Sequence, residues 1–144
     1  MSELSIDNAV VTFGGGESRI PGGFASFNAI EVHQATARIA NSLIERNASG
    51  RTNVSTTNRD AKGNNDGSVI FVLSSQPVII NNVIRDNSTA DTAAISVDHT
   101  SLNAKPVRDF GRSTGFNQRE TNLGIGNYGP LVFNNRLGGN GLNG

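Results

Sequence analysis

Residues 36–47 read TARIANSLIERN, and residues 76–87 read QPVIINNVIRDN. Laid over one another they set Ile39 on Ile79, Asn41 on Asn81, Ile44 on Ile84 and Asn47 on Asn87. A third copy, GPLVFNNRLGGN at 129–140, contributes Val132, Asn134, Leu137 and Asn140, and LSIDNAVVTFGG at 4–15 supplies Ile6, Asn8 and Val11 at the same spacing. A second row runs between them. AIEVHQAT, VIFVLSSQ and AISVDHTS align Ile30 with Ile70 and Ile95, and Val32 with Val72 and Val97. The apolar positions alternate by two, as in strands that point successive side chains to opposite faces. Ile70 and Ile95 stand 25 positions apart and enclose one complete cycle, so 25 is read as the unadorned period.

A period in the range of roughly 20–50 residues implies stacked supersecondary units, none of which buries its apolar face alone. Alternation by two, with Asn and Gly interrupting every few residues, disfavours helical repeats. The Leu framework of leucine-rich repeats is missing. The remaining architecture is all-β: a parallel β-solenoid of about three to four coils, its equivalent residues superposed at the strand spacing of about 4.8 Å. Ile6, Ile39, Ile79 and Val132 then form one inward stack, and Ile30, Ile70 and Ile95 another. Asn8, Asn41, Asn81 and Asn134 fall two residues after the first stack, where the strand must bend. Stacked amides there are expected to form a hydrogen-bonded ladder; the alternative is that each Asn serves only its own local turn.

The "I-x-N-x-x-I-x-x-N" cadence of TARIANSLIERN and QPVIINNVIRDN resembles the right-handed parallel β-helix, or pectin-lyase-like, family. It is most similar to β-helix segments of large bacterial surface and secreted proteins. The right hand is implied by the resemblance and by the general rule for parallel crossovers. The resemblance covers about two thirds of the chain and is specific for architecture rather than activity, since the fold hosts lyases, hydrolases, adhesins and phage spikes.

Composition narrows the functions. Twelve basic and twelve acidic residues cancel, which removes the electrostatic footprint of a nucleic-acid or anionic-membrane binder. The longest apolar run, VIFVL at 69–73, is too short to span a bilayer. Cysteine is absent, leaving no thiolate or disulfide chemistry. No basic-then-apolar leader follows Met1, so no secretion signal is visible. Seventeen Gly and nineteen Asn favour tight turns. All 144 residues are read as one domain, with segments 14–27, 48–66 and about 101–129 as polar, Gly-rich loops leaving the coil at different corners. Arg51, Arg59, Lys62, Lys105, Arg108 and Arg112 on these loops read as solvated residues or, alternatively, as contacts to an anionic glycan.

Two motif matches are read as chance. Residues 124–129, GIGNYG, fit a dinucleotide-binding pattern but are followed by Pro130 and a strand-like LVFNN instead of a helix. Residues 111–115, GRSTG, fit a nucleophile elbow without the flanking strand and helix it needs. In the family that the cadence resembles, catalytic members use strand-borne acidic residues, either as Ca²⁺ ligands or as an acid and base pair on a sugar. Asp86, Asp91 and Asp98 with His99 and Arg85 come nearest, but Asp98 aligns with Leu73 and His33, which builds no carboxylate cluster. No catalytic residue, metal ligand or cofactor is assigned; Ca²⁺ is the one cation the resemblance suggests. Glu31, Phe71 and Ser96 on the outward face, with Asp98 and His99 beyond, are the candidate ligand-facing residues, an exposed Phe71 offering a stacking platform for a sugar ring. Asn47, Asn53 and Asn87 open glycosylation-type triplets, discounted because two belong to the cadence and the composition has a bacterial cast.

Neither end of the repeat carries a recognisable cap. The chain therefore reads as an excerpt of a longer solenoid, or as a unit whose ends stack on other copies. The expected function is a non-catalytic structural or adhesive module of a bacterial extracellular protein, meeting polysaccharide or further copies of itself. The alternative from another class is a polysaccharide lyase or glycoside hydrolase, or a remnant of one.

Overall fold

The computed structural model describes residues 3–21, 23–50, 67–89, 93–102, 108–109, 121–122 and 129–141. Its strands are β1 (Glu3–Asp7), β2 (Val10–Val11), β3 (Gly16–Ile20), β4 (Gly23–Phe27), β5 (Ile30–His33), β6 (Thr36–Ala40), β7 (Leu43–Glu45), β8 (Ile70–Leu73), β9 (Val78–Ile80), β10 (Val83–Arg85), β11 (Ile95–Val97), β12 (Arg108–Asp109), β13 (Thr121–Asn122), β14 (Leu131–Phe133) and β15 (Arg136–Gly138). One 3-10 turn, η1 (His99–Ser101), follows β11, and no α-helix occurs among the described residues.

Eleven strands form three parallel sheets, ordered β1-β6-β9-β14, β2-β7-β10-β15 and β5-β8-β11. Along the chain these sheets are visited in one unvarying cycle, and each return lays a strand parallel to its predecessor. The fold is therefore all-β with stacked parallel sheets, an arrangement compatible with a β-helix or solenoid. The register superposes Ile6, Ile39, Ile79 and Val132; then Val11, Ile44, Ile84 and Leu137; then Ile30, Ile70 and Ile95 beside Val32, Val72 and Val97. A slip of one residue would turn every one of these side chains to the opposite face. Ile39, Ile44, Ile70, Ile79 and Ile84 are fully buried and belong to one apolar cluster; such side chains each contribute about 1.5–3 kcal/mol relative to exposure. The stacks fade toward the last circuit, where Val132 is 45% and Leu137 55% exposed.

The chain turns from sheet to sheet by one device. A single residue enters the left-handed region at Asn8, Asn41, Asn81 and Asn134 between the first and second sheets (φ 52–57°), at Phe13, Arg46, Asp86 and Gly139 after the second, and at Gln34 and Ser74 after the third. Asn tolerates this conformation better than other L-residues, because its short amide bonds locally. Its N–H donates to a carbonyl of the following circuit, as Asn8 does to Ala40, Asn41 to Ile80 and Asn81 to Phe133.

The residue after each left-handed position faces inward, and its N–H needs an acceptor that the bent backbone does not supply. A side chain from the next circuit provides it. Ser42 Oγ accepts from Ala9, Asn82 Oδ1 from Ser42 and Asn135 Oδ1 from Asn82 at 3.0–3.1 Å. Gly14, Asn47 and Asn87 likewise donate to Asn47, Asn87 and Asn140. The third corner uses Ser75 and Ser101 toward Ala35 and Ser75. The amide nitrogens reach back as well, Asn82 to Ile39 O, Asn87 to Ile44 O, Asn135 to Ile79 O and Asn140 to Ile84 O.

Two segments expected as loops carry strands. Within 14–27, β3 and β4 pair antiparallel, and the sequence between them carries the Pro-Gly dipeptide of a turn signal. Within 101–129, β12 and β13 pair antiparallel. A parallel repeat specifies partners only for residues that recur, so the pairing of β3 with β4 does not follow from the period. The remainder of the 48–66 and 101–129 segments lies largely outside the described residues.

Asn81 and Asn87 separate the two kinds of corner residue. Replacing the buried Asn87 by Ala leaves the Asn47 N–H and the Ile44 carbonyl without their partners and is expected to cost about 3 kcal/mol. Asn81→Ala loses an exposed amide and strains a left-handed residue, for about 1 kcal/mol, and Asn81→Gly restores most of it. Denaturant midpoints of the three variants measure the order.

Candidate functional site

The outward face of the third sheet carries the row expected to meet a ligand. In register, Glu31 lies beside Phe71 and Phe71 beside Ser96. Phe71 is not the exposed platform expected for it: it is fully buried, and the other residues of β8 are buried too. Its ring meets His33 edge to face, with centroids 5.8 Å apart and planes at 79°. Alternation places Phe71 outside the aliphatic stacks but does not fix its exposure, because a parallel sheet covered on both faces is apolar on both. Glu31 is engaged as well. One carboxylate oxygen accepts from the Asn28 N–H at 3.0 Å and the other stands 3.3 Å from His33 Nε2. Ser96 is half-buried.

Asp98 is a capping residue. Its side chain is buried, 7% exposed, and its N–H continues the sheet by donating to Val72 O. Oδ1 accepts from the Thr100 hydroxyl and the Thr100 N–H at 2.9 Å, closing the N-terminus of η1. The Thr100 hydroxyl bond, then the Thr100 N–H, with His99 adding a weaker attraction, hold the carboxyl below its ordinary 3.8 against the opposing effect of burial. Thr100 also receives the Ser74 hydroxyl at 2.9 Å, so the cap ties two circuits. His99 projects outward, its side chain 81% exposed, with Nδ1 3.5 Å from Asp98. The structure therefore divides the five candidate residues: Phe71, Glu31 and Asp98 are committed to packing or hydrogen bonds, and only His99 is freely presented to solvent.

The other acidic residues are spread along the stack. Asp7 accepts from Asn8 at 3.0 Å and Asn41 at 2.8 Å and pairs with Arg38 at 3.4 Å; Glu45 pairs with Arg85 at 2.9 Å, and Asp86 stands 3.6 Å from the same Arg85. Among the described residues no group of three or more His, Cys, Asp or Glu is placed to hold a metal ion. Asp91, residues 111–115 and 124–128, and the basic residues Arg51, Arg59, Lys62, Lys105 and Arg112 lie outside the described residues; of Arg108 only its place in β12 is described. Asn47 and Asn87, 2% and 0% exposed, are inaccessible as glycosylation acceptors; Asn53 lies outside the described residues.

The row Asn8, Asn41, Asn81 and Asn134 is exposed. Asn134 donates to Asn81 at 2.8 Å, Asn81 to Asn41 at 3.3 Å, and Asn41 to Asp7, so Asn8 itself stands outside this chain of amides. The buried amide ladders lie elsewhere, at Asn82 and Asn135 and at Asn47, Asn87 and Asn140. The NN doublets at 81–82 and 134–135 are the signal that locates the first of them, the second Asn of each being the inward one. Asn28, buried, receives the N–H groups of Gly50 and Ser68 at 2.8 and 3.0 Å. A Cβ at Gly50 would stand 2.7 Å from Asn28 Oδ1, so this approach requires glycine.

The third-sheet face is closed at Phe71, and the exposed large apolar side chains among the described residues include Phe27 on β4, Val97 on β11 and Leu102 after η1. Leu4, Val10 and Phe13 mark the first circuit; Val132, Phe133 and Leu137 mark the last. No family model, curated protein or solved structure matches this chain.

Two outcomes check these assignments. Phe71→Ala is expected to destabilise the fold by about 3–5 kcal/mol, as for a buried aromatic, whereas a solvent-facing platform would lose almost nothing in thermal unfolding. Asp98 has a lowered folded pKa, so its stabilising contribution is complete above the unfolded value of 3.8 and is lost as pH falls through the folded one. Stability measured between pH 6 and pH 2 should fall less steeply in Asp98→Asn, and that variant should already be weaker at pH 6.

Proposed function

We propose that this chain is a non-catalytic structural module, a right-handed parallel β-helix of the pectin-lyase-like kind that serves a bacterial extracellular protein as a rigid stack. The observation that carries this reading is the use made of polar side chains. At each corner Asn or Ser closes hydrogen bonds between circuits, and on the outer faces Arg38 and Arg85 pair with Asp7 and Glu45 of neighbouring circuits. These groups are spent on stacking, and Asp98 on capping. A reaction centre needs ionisable groups converging on one open cleft.

The mechanism is mechanical. Each circuit adds about 4.8 Å of length, held by main-chain bonds on three sides and by an aliphatic core with one register. Side chains on such a stack are presented at fixed spacing, and contact with polysaccharide or with other copies gathers affinity from repeated weak contacts. Phe71 and Leu73 are buried on the third-sheet face, so that face offers no apolar platform at these two positions. The right hand follows the strong preference of parallel crossover connections.

Amide hydrogen exchange combined with a polysaccharide panel tests the reading. The N–H groups of the three sheets should open as one cooperative unit, and no neutral or anionic polysaccharide should be cleaved at stoichiometric protein. Independent exchange of the sheets, or release of reducing or unsaturated sugar ends above background, overturns it.

A further inference from the structure

Of the non-glycine residues that take the left-handed turn at a corner, all but one of those described are Asn, Asp, Gln, Ser or Arg. The exception is Phe13, at φ 58° and 79% exposed. A single exposed aromatic is ordinary on a protein surface, but a bulky side chain in the left-handed region is an outlier. Here both costs fall on one residue. The corner uses only its main chain, whose N–H donates to Arg46 O at 3.2 Å. The ring has no aromatic partner among the described residues and is not one of the hydrophobic side chains packed against the core. Strain kept without a packing return is a property that functional sites retain.

The exposure of Phe13 does not come from the place of its circuit. It superposes on Arg46 and Asp86, which have a circuit on either side and are exposed as well, so this row faces outward along the stack. Arg46, its neighbour in the row, also lacks a structural task for its side chain. Its guanidinium takes part in no ion pair among the described residues, whereas Arg38 and Arg85 are held by Asp7 and Glu45. Asp86, next in the row, stands 3.6 Å from Arg85 instead. An aromatic ring and an unpaired guanidinium therefore lie one circuit apart, about 4.8 Å along the row. Both residue types are enriched at protein interfaces and depleted from none of their buried centres. The ring is not repeated at Arg46 or Asp86, so the row lacks the recurring platform that a polysaccharide lying along the stack would meet.

We propose that Phe13 and Arg46 form a docking site, at the corner that follows the second sheet, for a protein partner presenting a large apolar side chain beside a carboxylate. The apolar side chain covers the Phe13 ring and the carboxylate takes the guanidinium of Arg46, the one charge of this pair of residues that the fold leaves unanswered. Charge complementarity sets the choice of partner: a Lys or Arg opposite Arg46 is repelled, and an Asp or Glu is drawn to it. This inference rests on the stacked-module reading above for the outward course of the row, and adds a site and the chemistry of its occupant.

The test selects a phage-displayed random peptide library on the full chain and titrates the recovered peptides by fluorescence anisotropy. They should share a Leu, Ile, Phe, Tyr or Trp beside an Asp or Glu. Phe13→Asn and Arg46→Gln should each weaken binding about tenfold or more. Arg46→Glu should turn the selection toward peptides bearing Lys or Arg, and Gln34→Gly at another corner should leave affinity unchanged. Phe13→Asn should at the same time raise the denaturant midpoint, since Asn tolerates the left-handed turn and exposes no ring. A lowered midpoint would make Phe13 a structural residue and overturn the proposal. So would peptides without a shared apolar and acidic pattern, or affinity unchanged in either variant. Binding of a polysaccharide that Phe13→Asn abolishes would overturn it too, naming a sugar as the occupant. Hydrogen exchange on the same samples separates the two levels: protected sheets with a failed selection sink only this inference, and unprotected sheets sink the structural reading itself.

Discussion

A polypeptide that turns a corner in the interior of a stack exposes an N–H that its own strand no longer satisfies, and the remainder of this structure depends on how that donor is met. Here it is met from the next circuit, by an amide or hydroxyl oxygen one residue beyond a left-handed backbone position. The arrangement needs equivalent residues of successive circuits to superpose, because an oxygen displaced by one residue would point to the other face. The same superposition sets Ile39 on Ile79 and Ile44 on Ile84. Polar and apolar stacking are therefore enforced by one register, and neither survives without the other.

This coupling explains where the chain spends its unusual Asn content. Inward Asn87 accepts from Asn47 and donates to Ile44 O and Asn140, so it serves neighbouring circuits and is wholly buried. Outward Asn81 has a different task, since its side chain is exposed and its value lies in tolerating φ 57°. Two adjacent asparagines at one corner thus answer two physical demands, one conformational and one of hydrogen bonding. Ser42, Ser75 and Ser101 show that a hydroxyl meets the second demand as well.

The corner bonds of successive circuits also have a prevailing direction, the later circuit supplying the oxygen at Ser42, Asn47, Asn82, Asn87 and Ser75. Ala9, Gly14 and Ala35 donate to Ser42, Asn47 and Ser75 of the following circuit, whereas Asn28 accepts from Ser68 of the circuit after its own. On the outer faces ion pairs add to this stacking, Arg38 with Asp7 and Arg85 with Glu45 of neighbouring circuits.

Much of this was determined by the amino-acid sequence alone. The strand rows, their parallel superposition and the pairing of Ile30 with Ile70 and Ile95 were legible because strand side chains alternate with period two and a repeated cross-section must repeat its pattern. The tertiary structure decided what alternation leaves open. Which Asn of a doublet faces inward depends on which residue takes the left-handed turn. Whether outward Phe71 meets solvent depends on what covers the sheet, and Asp98 proved to be a cap because Thr100 folds back onto it. The antiparallel pairing of residues 16–20 with 23–27 was likewise hidden, since a repeat predicts partners only for residues that recur. Period and register are properties of the chain's own pattern, whereas exposure and hydrogen-bond direction are properties of contacts between segments distant along it.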